Sequence, residues 1–472
     1  MSGHVYIDLT TLACWRGPPV GIARCQARYA SYALRHIGNV RFTLFDPAIR
    51  RHRHLETDTA RRIIEGSLKV DTTTLPDLNP HRRHFVDKFP AVLQPLYWWV
   101  TKPRRRLISL LENIRLSRRL GRVSGLAGRM QEALIKEKER SRYYFDDGTR
   151  VSVPALPAMS GAPVNFRPDD VTVAIQLDWI HTDFAAIAQL KSRSGWRHVI
   201  LCHDLIPIQF PQWYSQSDVD GFRTYYDLAL ARADRVMFTS NCTANAAQTY
   251  TKTLGIELKD FAIVPMGSDI EAAKHVRTEL PDGLETSKYA LFVSTVEPRK
   301  NHRLLVEAWR RLAKSGVIER SGFKLVFVGR PGWMMGSFYD EIATDAHIKD
   351  SVVHLQNAGD DALSRLYRDA AFCLYPPLYE GYGLPIIEAL AYGKALLVSN
   401  AGPMPEIAGD YAIALDPQEP GAWANAMGKW IEHPEQREAF AARARDSYVP
   451  LSWDASATMF FEEALAPFRE GR

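Results

Sequence analysis

The sequence predicts an α/β protein with two doubly wound units in tandem, each a parallel sheet covered by helices. Three observations predict it. The 472 residues exceed what one core ordinarily holds. Short β-branched apolar runs without polar alternation mark strands buried on both faces. Helical patterns of about 10–15 residues separate those runs, as in βαβ units.

The second half carries this pattern most clearly. Residues 289–295 (YALFVST) are followed by a polar turn and the amphipathic stretch HRLLVEAWRRLAKSG. Residues 323–328 (FKLVFV) form a second strand stopped by GRPG, and residues 352–355 a third. A helix (DALSRLYRDA), capped by Asp360 or Asp361, leads to a strand at 372–375. LPIIEALAYG then reads as a helix with Pro385 in its first turn and Gly393 as its stop. Runs at 395–398 and 411–415 complete the series.

The first half repeats the pattern around a large interruption. HVYIDLT is a strand, a helix begins near Gly21 (GIARCQARYASYAL), and residues 40–45 are a second strand. Alternation resumes at 171–176, 197–202, 235–239 and 261–264. The intervening stretch, about 50–165, is Thr-rich, then basic, then rich in Pro and Ala. It is expected to be a largely helical basic insertion outside the sheet. The expected domains are 1–275 with that insertion and 285–455, joined through a linker around 266–284. Residues 456–472 are expected to form a helix crossing back to the first domain.

Composition is that of a globular protein, 46% apolar and 24% charged. Five cysteines (Cys14, Cys25, Cys202, Cys242, Cys373) show no CxxC or zinc-type spacing, which points to a reducing compartment. The start MSGHVYIDLT lacks the basic and apolar regions of a secretory signal. No apolar run approaches the roughly 18 residues of a membrane span. A cytoplasmic location is therefore expected. Of the net charge of +5, residues 81–142 carry +11, leaving −6 for the rest.

Tandem α/β sheets bind ligands at the C-terminal ends of their strands, so the strand-to-helix loops are informative. VEPRKN places Arg299 and Lys300 directly after an apolar strand. A guanidinium fork and an ammonium point charge there suit a diphosphate, although an isolated Arg-Lys pair also reads as a solvated turn. YEGYGLPIIE places Gly381 and Gly383 before a helix that starts near Leu384. Glycines let backbone N–H groups approach an anion, and the helix dipole favours it. Glu380 and Glu388 border that turn, and carboxylates accept hydrogen bonds from sugar hydroxyls. Simple strand–helix geometry and a helix-dipole carboxylate remain open for the glycines and Glu388. His203 and Asp204 follow the apolar strand of VILCHDLIPIQ, where a histidine is either a site residue or a satisfied structural one. The first βα loop offers Gly17, Gly21 and Arg24, without a G-x-G-x-x-G pattern.

EPRKN, FVGRPGW, EGYGLPIIEALAYG and SNAGPMPEIAGD, in this order, resemble the retaining glycosyltransferases of family 4. GIAR, HDLIPIQFPQWY and ADRVMFTSNCTAN are similar to that family's mannosyltransferase-like branch. The resemblance covers nearly all of the chain except about 50–165. It implies the GT-B fold, two Rossmann-like domains facing across a cleft. It also implies roles: Glu380 for donor-sugar hydroxyls, Glu388 for the ribose, and Arg299 and Lys300 for the departing diphosphate. Backbone N–H groups of Tyr382, Gly383 and Leu384 would assist, Gly21 would approach the donor from the other domain, and His203 would contact its sugar. The resemblance implies neither metal nor cofactor; Asp218-Val219-Asp220 is the DxD present, in a helical-looking stretch. Where many family members have Gly-Arg this chain has Ser294-Thr295, which leaves more of the phosphate clamp to Arg299 and Lys300.

The basic segment 81–142 combines residues 104–106 (RRR), Arg118 and Arg119 with Trp98 and Trp99. Leu107, Leu110, Leu111 and Ile114 fall at helical spacing. The segment reads either as an amphipathic element on the inner membrane surface or as an insertion packed on its own domain. No nucleic-acid-binding motif accompanies the charge. The expected reaction is hexosyl transfer, mannosyl from GDP-mannose first, to a saccharide or lipid-linked saccharide acceptor in surface polysaccharide assembly. A UDP-glucose or UDP-N-acetylhexosamine donor is the alternative. A non-catalytic scaffold of the same fold is the alternative of another class.

Overall fold

The computed structural model describes residues 3–15, 21–46, 49–70, 141–144, 150–153, 160–175, 182–258, 260–268, 279–332, 334–356 and 358–469. Gly17 and residues 81–140 of the basic segment lie outside the described residues, and with them much of the expected insertion and its expected membrane face.

Two sheets organise the molecule. The strands in chain order are β1 (Val5–Asp8), β2 (Val40–Asp46), β3 (Arg51–Leu55), β4 (Lys69–Val70), β5 (Ser141–Tyr144), β6 (Arg150–Val153) and β7 (Ser160–Pro163). Then come β8 (Val171–Ala174), β9 (Arg197–Cys202), β10 (Arg235–Phe238) and β11 (Phe261–Ile263). The second half contributes β12 (Tyr289–Val293), β13 (Lys324–Val328), β14 (Val352–Leu355), β15 (Phe372–Tyr375), β16 (Leu396–Ser399) and β17 (Ala412–Leu415). The first sheet has the order β11-β10-β9-β8-β1-β2-β3-β7, the second β14-β13-β12-β15-β16-β17, and β4-β5-β6 form a small antiparallel sheet. The second sheet is parallel throughout. The first is parallel from β11 to β2. The two Rossmann-like sheets are those the apolar runs predict.

One part of that prediction is corrected. β3 and β7, inside the stretch assigned to a largely helical insertion, extend the first sheet as antiparallel strands. RHRHL looks like a solvated loop, yet Arg51, His52 and Arg53 are buried because each is paired. Arg53 donates to Asp46 at 2.6 Å. Arg51 donates to Val164 O and to Asn165 Oδ1, both at 2.9 Å. His52 lies 3.3 Å from Asp8. Buried charge is tolerated when paired as Arg53 is with Asp46.

The second domain closes around Trp309, Phe292, Phe327 and Trp423, all fully buried. In the first, helix Ile22–His36 packs on β1 and β2, and the last helix, Trp453–Arg469, packs on it in turn through Trp453, Phe460, Phe461 and Leu465. Tyr29 anchors that contact: its hydroxyl lies 2.7 Å from Ser456 Oγ and its ring 4.8 Å from that of Phe460. Helix Trp453–Arg469, which follows the second domain, thus packs on the first. Among the described residues no helix is long and apolar enough to cross a membrane.

Candidate active site

The loop after β12 is shaped by its own sequence. Pro298 opens a 3-10 turn, Pro298–Lys300, and Asn301 ends it in the left-handed region (φ 64°), which asparagine tolerates. The Asn301 side chain donates to Pro376 O at 3.1 Å and Pro417 O at 2.7 Å, tying the turn to the segments that follow β15 and β17. The backbone of Leu378 donates to Arg299 O at 2.8 Å. The loops after β12 and β15 are therefore one unit.

Arg299 and Lys300 converge on Glu380. Arg299 Nη1 donates to Glu380 Oε2 at 2.8 Å, and Lys300 Nζ pairs with Glu380 Oε1. Arg299 Nη2 also holds the buried Glu297 at 2.9 Å. Burial alone would raise the Glu380 pKa, but Arg299 and Lys300 outweigh it and bring it down to about 2. Burial pushes Glu297 and Asp204 upward against the pull of the same cations. Burial, aided by Arg299, lowers Lys300, whereas Glu380 and Glu297 raise Arg299 despite its burial. A compact anion site is thus already filled by carboxylates.

Beyond it, Gly383 (φ 113°) turns the chain into helix Leu384–Ala391, with Pro385 at its start. Only glycine takes this φ readily. Tyr382 is buried, and its hydroxyl donates to Met266 O of the first domain at 3.4 Å. Glu388, one turn into the helix, accepts from Tyr367 at 2.9 Å. It also accepts from Arg24 of the first domain at 3.4 Å, and Arg24 reaches Asp360 at the same distance. Arg24 stands in the first turn of helix Ile22–His36, behind Gly21, whose φ of 53° and ψ of −122° suit glycine alone.

The domains meet at Gly381. A Cβ there would lie 2.2 Å from His203 O. Ser240 and Thr243 of the first domain donate to Gly381 O at 2.9 and 3.1 Å. Glu406 accepts from the backbone of Asn241 at 2.8 Å and of Cys242 at 3.1 Å. His203 meets the second domain through its backbone; its buried ring lies 3.0 Å from Ile175 O. Burial lowers its pKa to about 4, so the ring is neutral at pH 7 and Nε2 is the donor to that carbonyl.

The structure brings Arg299, Lys300 and Glu380 together, sets Tyr382, Gly383, Leu384 and Glu388 on the adjoining turn, and joins them to the first domain through Arg24 and the His203 backbone. Asp218 lies in the first turn of helix Gln216–Arg232, as its helical setting suggests. Among the described residues no group of three His, Cys, Asp or Glu could hold a metal ion. Sequence reasoning assigned no role to Glu297, Ser240, Thr243 or Glu406. Glu297 and Glu406 stand inside the motifs EPRKN and PEIAGD, so a carboxylate within a loop motif was the available signal.

Residues 281–447 match the family described as glycosyl transferases group 1. The match spans the whole second sheet, from β12 to β17. The whole chain shares its fold with HepE of Anabaena, solved with UDP and glucose: TM-score 0.55, 15% identity, 98% of this chain and 100% of that one. TarM gives a TM-score of 0.53 at 11% identity over 98% and 99%. The two-domain fold is thus GT-B. Among curated relatives, the Escherichia coli serotype-specific mannosyltransferase WbdA is 23% identical over 86% of this chain and 51% of its own length. O-antigen chain mannosyltransferase B of Escherichia coli is 31% identical over 36% of this chain and 44% of its own. The chain spans about half the length of these relatives.

Proposed function

We propose that the protein is a glycosyltransferase acting in surface polysaccharide assembly. It takes a hexosyl group from a nucleotide-sugar in the cleft and passes it to a saccharide or lipid-linked saccharide acceptor. The observation that carries this reading is the meeting of Arg299 and Lys300 with Glu380 beside the start of helix Leu384–Ala391, with Glu388 one turn on, inside a group 1 domain.

Breaking the bond between sugar and diphosphate develops negative charge on the leaving oxygen. Arg299 and Lys300 neutralise it, and the N–H groups at the helix start contribute partial charge. Glu380, released from the cations by the incoming phosphates, accepts from the sugar hydroxyls, and Glu388 accepts from the ribose diol. The acceptor hydroxyl attacks from the face the leaving group departs, which retains the anomeric configuration. No metal is assigned a step. Mannosyl transfer from GDP-mannose is the first reading of the donor, supported by the names of the curated relatives. A UDP-glucose or UDP-N-acetylhexosamine donor is the second, kept because HepE, which shares the fold, was solved with UDP and glucose. The basic segment 81–142 is proposed to rest on the inner membrane surface, and flotation with anionic liposomes, with and without it, tests this.

The deciding experiment is a thermal-shift panel of GDP-, UDP-, ADP- and dTDP-sugars on wild type, Glu388→Ala and Lys300→Ala. Stabilisation by one nucleotide, lost in both variants, is the expected result and names the base. No shift with any of them overturns the transferase reading in favour of a scaffold.

A further inference from the structure

We infer that Glu406 is a positioning residue that clasps the two domains over the donor site, an inference that rests on the transferase reading above. Helix Asn241–Thr253 of the first domain begins with Ser240 as its own cap, accepting from Thr243 N at 3.1 Å. The first N–H groups of a helix have no intrahelical acceptor. Here those of Asn241 and Cys242 are taken up by the two carboxylate oxygens of Glu406, at 2.8 and 3.1 Å, from the opposite domain. The Asn241 side chain adds a third bond to Oε1 at 2.9 Å. No acidic residue of the helix's own first turn serves the dipole, so the negative charge it favours comes across the cleft.

The same helix end grips the loop that carries Glu380. Ser240 and Thr243, both buried, donate to Gly381 O, the carbonyl next to Glu380. The Gly381 backbone lies against His203 O too closely for any side chain. Glu406 stands at the exposed rim and Gly381 in the interior, so the rim contact fixes the angle at which the interior one closes. Opening the cleft hydrates the Asn241 and Cys242 N–H groups instead of stranding them, which makes the clasp reversible. Arg299, Lys300, Glu380 and Glu388 all belong to the second domain, so nucleotide affinity and closure are separable.

The test uses the whole chain and GDP or UDP as probe. Glu406→Ala is expected to bind the nucleoside diphosphate with wild-type affinity by calorimetry. Its radius of gyration by X-ray scattering with nucleotide bound should exceed wild type, and donor hydrolysis should fall about tenfold or more through kcat. Glu406→Gln, which keeps an acceptor, should recover part of the rate. Ser240→Ala/Thr243→Ala should reproduce the effect and add little to Glu406→Ala, because both break one clasp. Wild-type scattering and hydrolysis in Glu406→Ala overturn the inference, as does a loss of nucleotide binding in step with melting temperature. If wild type itself binds neither nucleotide, the transferase reading fails, and scattering of the unliganded proteins alone decides the clasp.

Discussion

At the scale of residues, Glu380 is the resident counter-ion of Arg299 and Lys300. Two cations face Glu380, Glu297 and Asp204, so under the proposed reaction an incoming diphosphate displaces a carboxylate before it is held. Glu380→Gln removes that competitor. It is expected to bind GDP or UDP severalfold more tightly by calorimetry while turnover drops by about 100-fold or more, since a neutral amide orients the sugar poorly. The same pair sets a pH dependence. The Glu380 pKa is depressed from 4.5 to about 2, so its ionised form favours folding. That contribution is fully present above about pH 4.5 and is lost as pH falls through about 2. Urea unfolding should show a wild-type advantage over Glu380→Gln that is constant from pH 7 to about 4.5 and shrinks below.

Among elements, the loop between β15 and helix Leu384–Ala391 joins the cation pair to the other domain. Gly381 has no room for a methyl group, because the nearest atom is a backbone carbonyl that cannot swing aside. Gly381→Ala is expected to hold the domains apart, cutting donor turnover by about 100-fold. Circular dichroism and the second domain's unfolding should stay close to wild type. The strands around this loop were legible in sequence, because β12, β13, β15 and β16 are unbroken apolar runs and buried parallel strands read that way. β3 was illegible for the opposite reason: its charges are satisfied by Asp46, Val164 O and Asn165, partners remote from it in the chain or across a turn. The cation pair and both glutamates could be picked out in sequence because each stands at a strand end or helix start. The clasp could not, since Glu406, Ser240 and Gly381 meet only when two domains are docked.

At the scale of the whole molecule, helix Trp453–Arg469 ties the second domain to the first. Helix Trp453–Arg469 follows the second domain yet completes the core of the first, where Phe460 is fully buried against Tyr29. Arg35 and Asp454 close the rim of that contact at 2.7 Å, and Ser456 donates to Pro265 O at 2.7 Å, beside the chain's passage between domains. The exposed ion pair contributes little, so the apolar contact carries the stability. Removing a buried phenyl ring typically costs about 3–5 kcal/mol. Phe460→Ala should therefore lower stability by that amount in urea unfolding. The location of the loss discriminates between a helix that merely trails the second domain and one that belongs to the first. Hydrogen exchange should lose protection in helix Ile22–His36 and strands β1 and β2, and keep it in β12, β13 and β15. The reverse pattern would assign the helix to the second domain, against its contacts with Tyr29 and the rest of helix Ile22–His36.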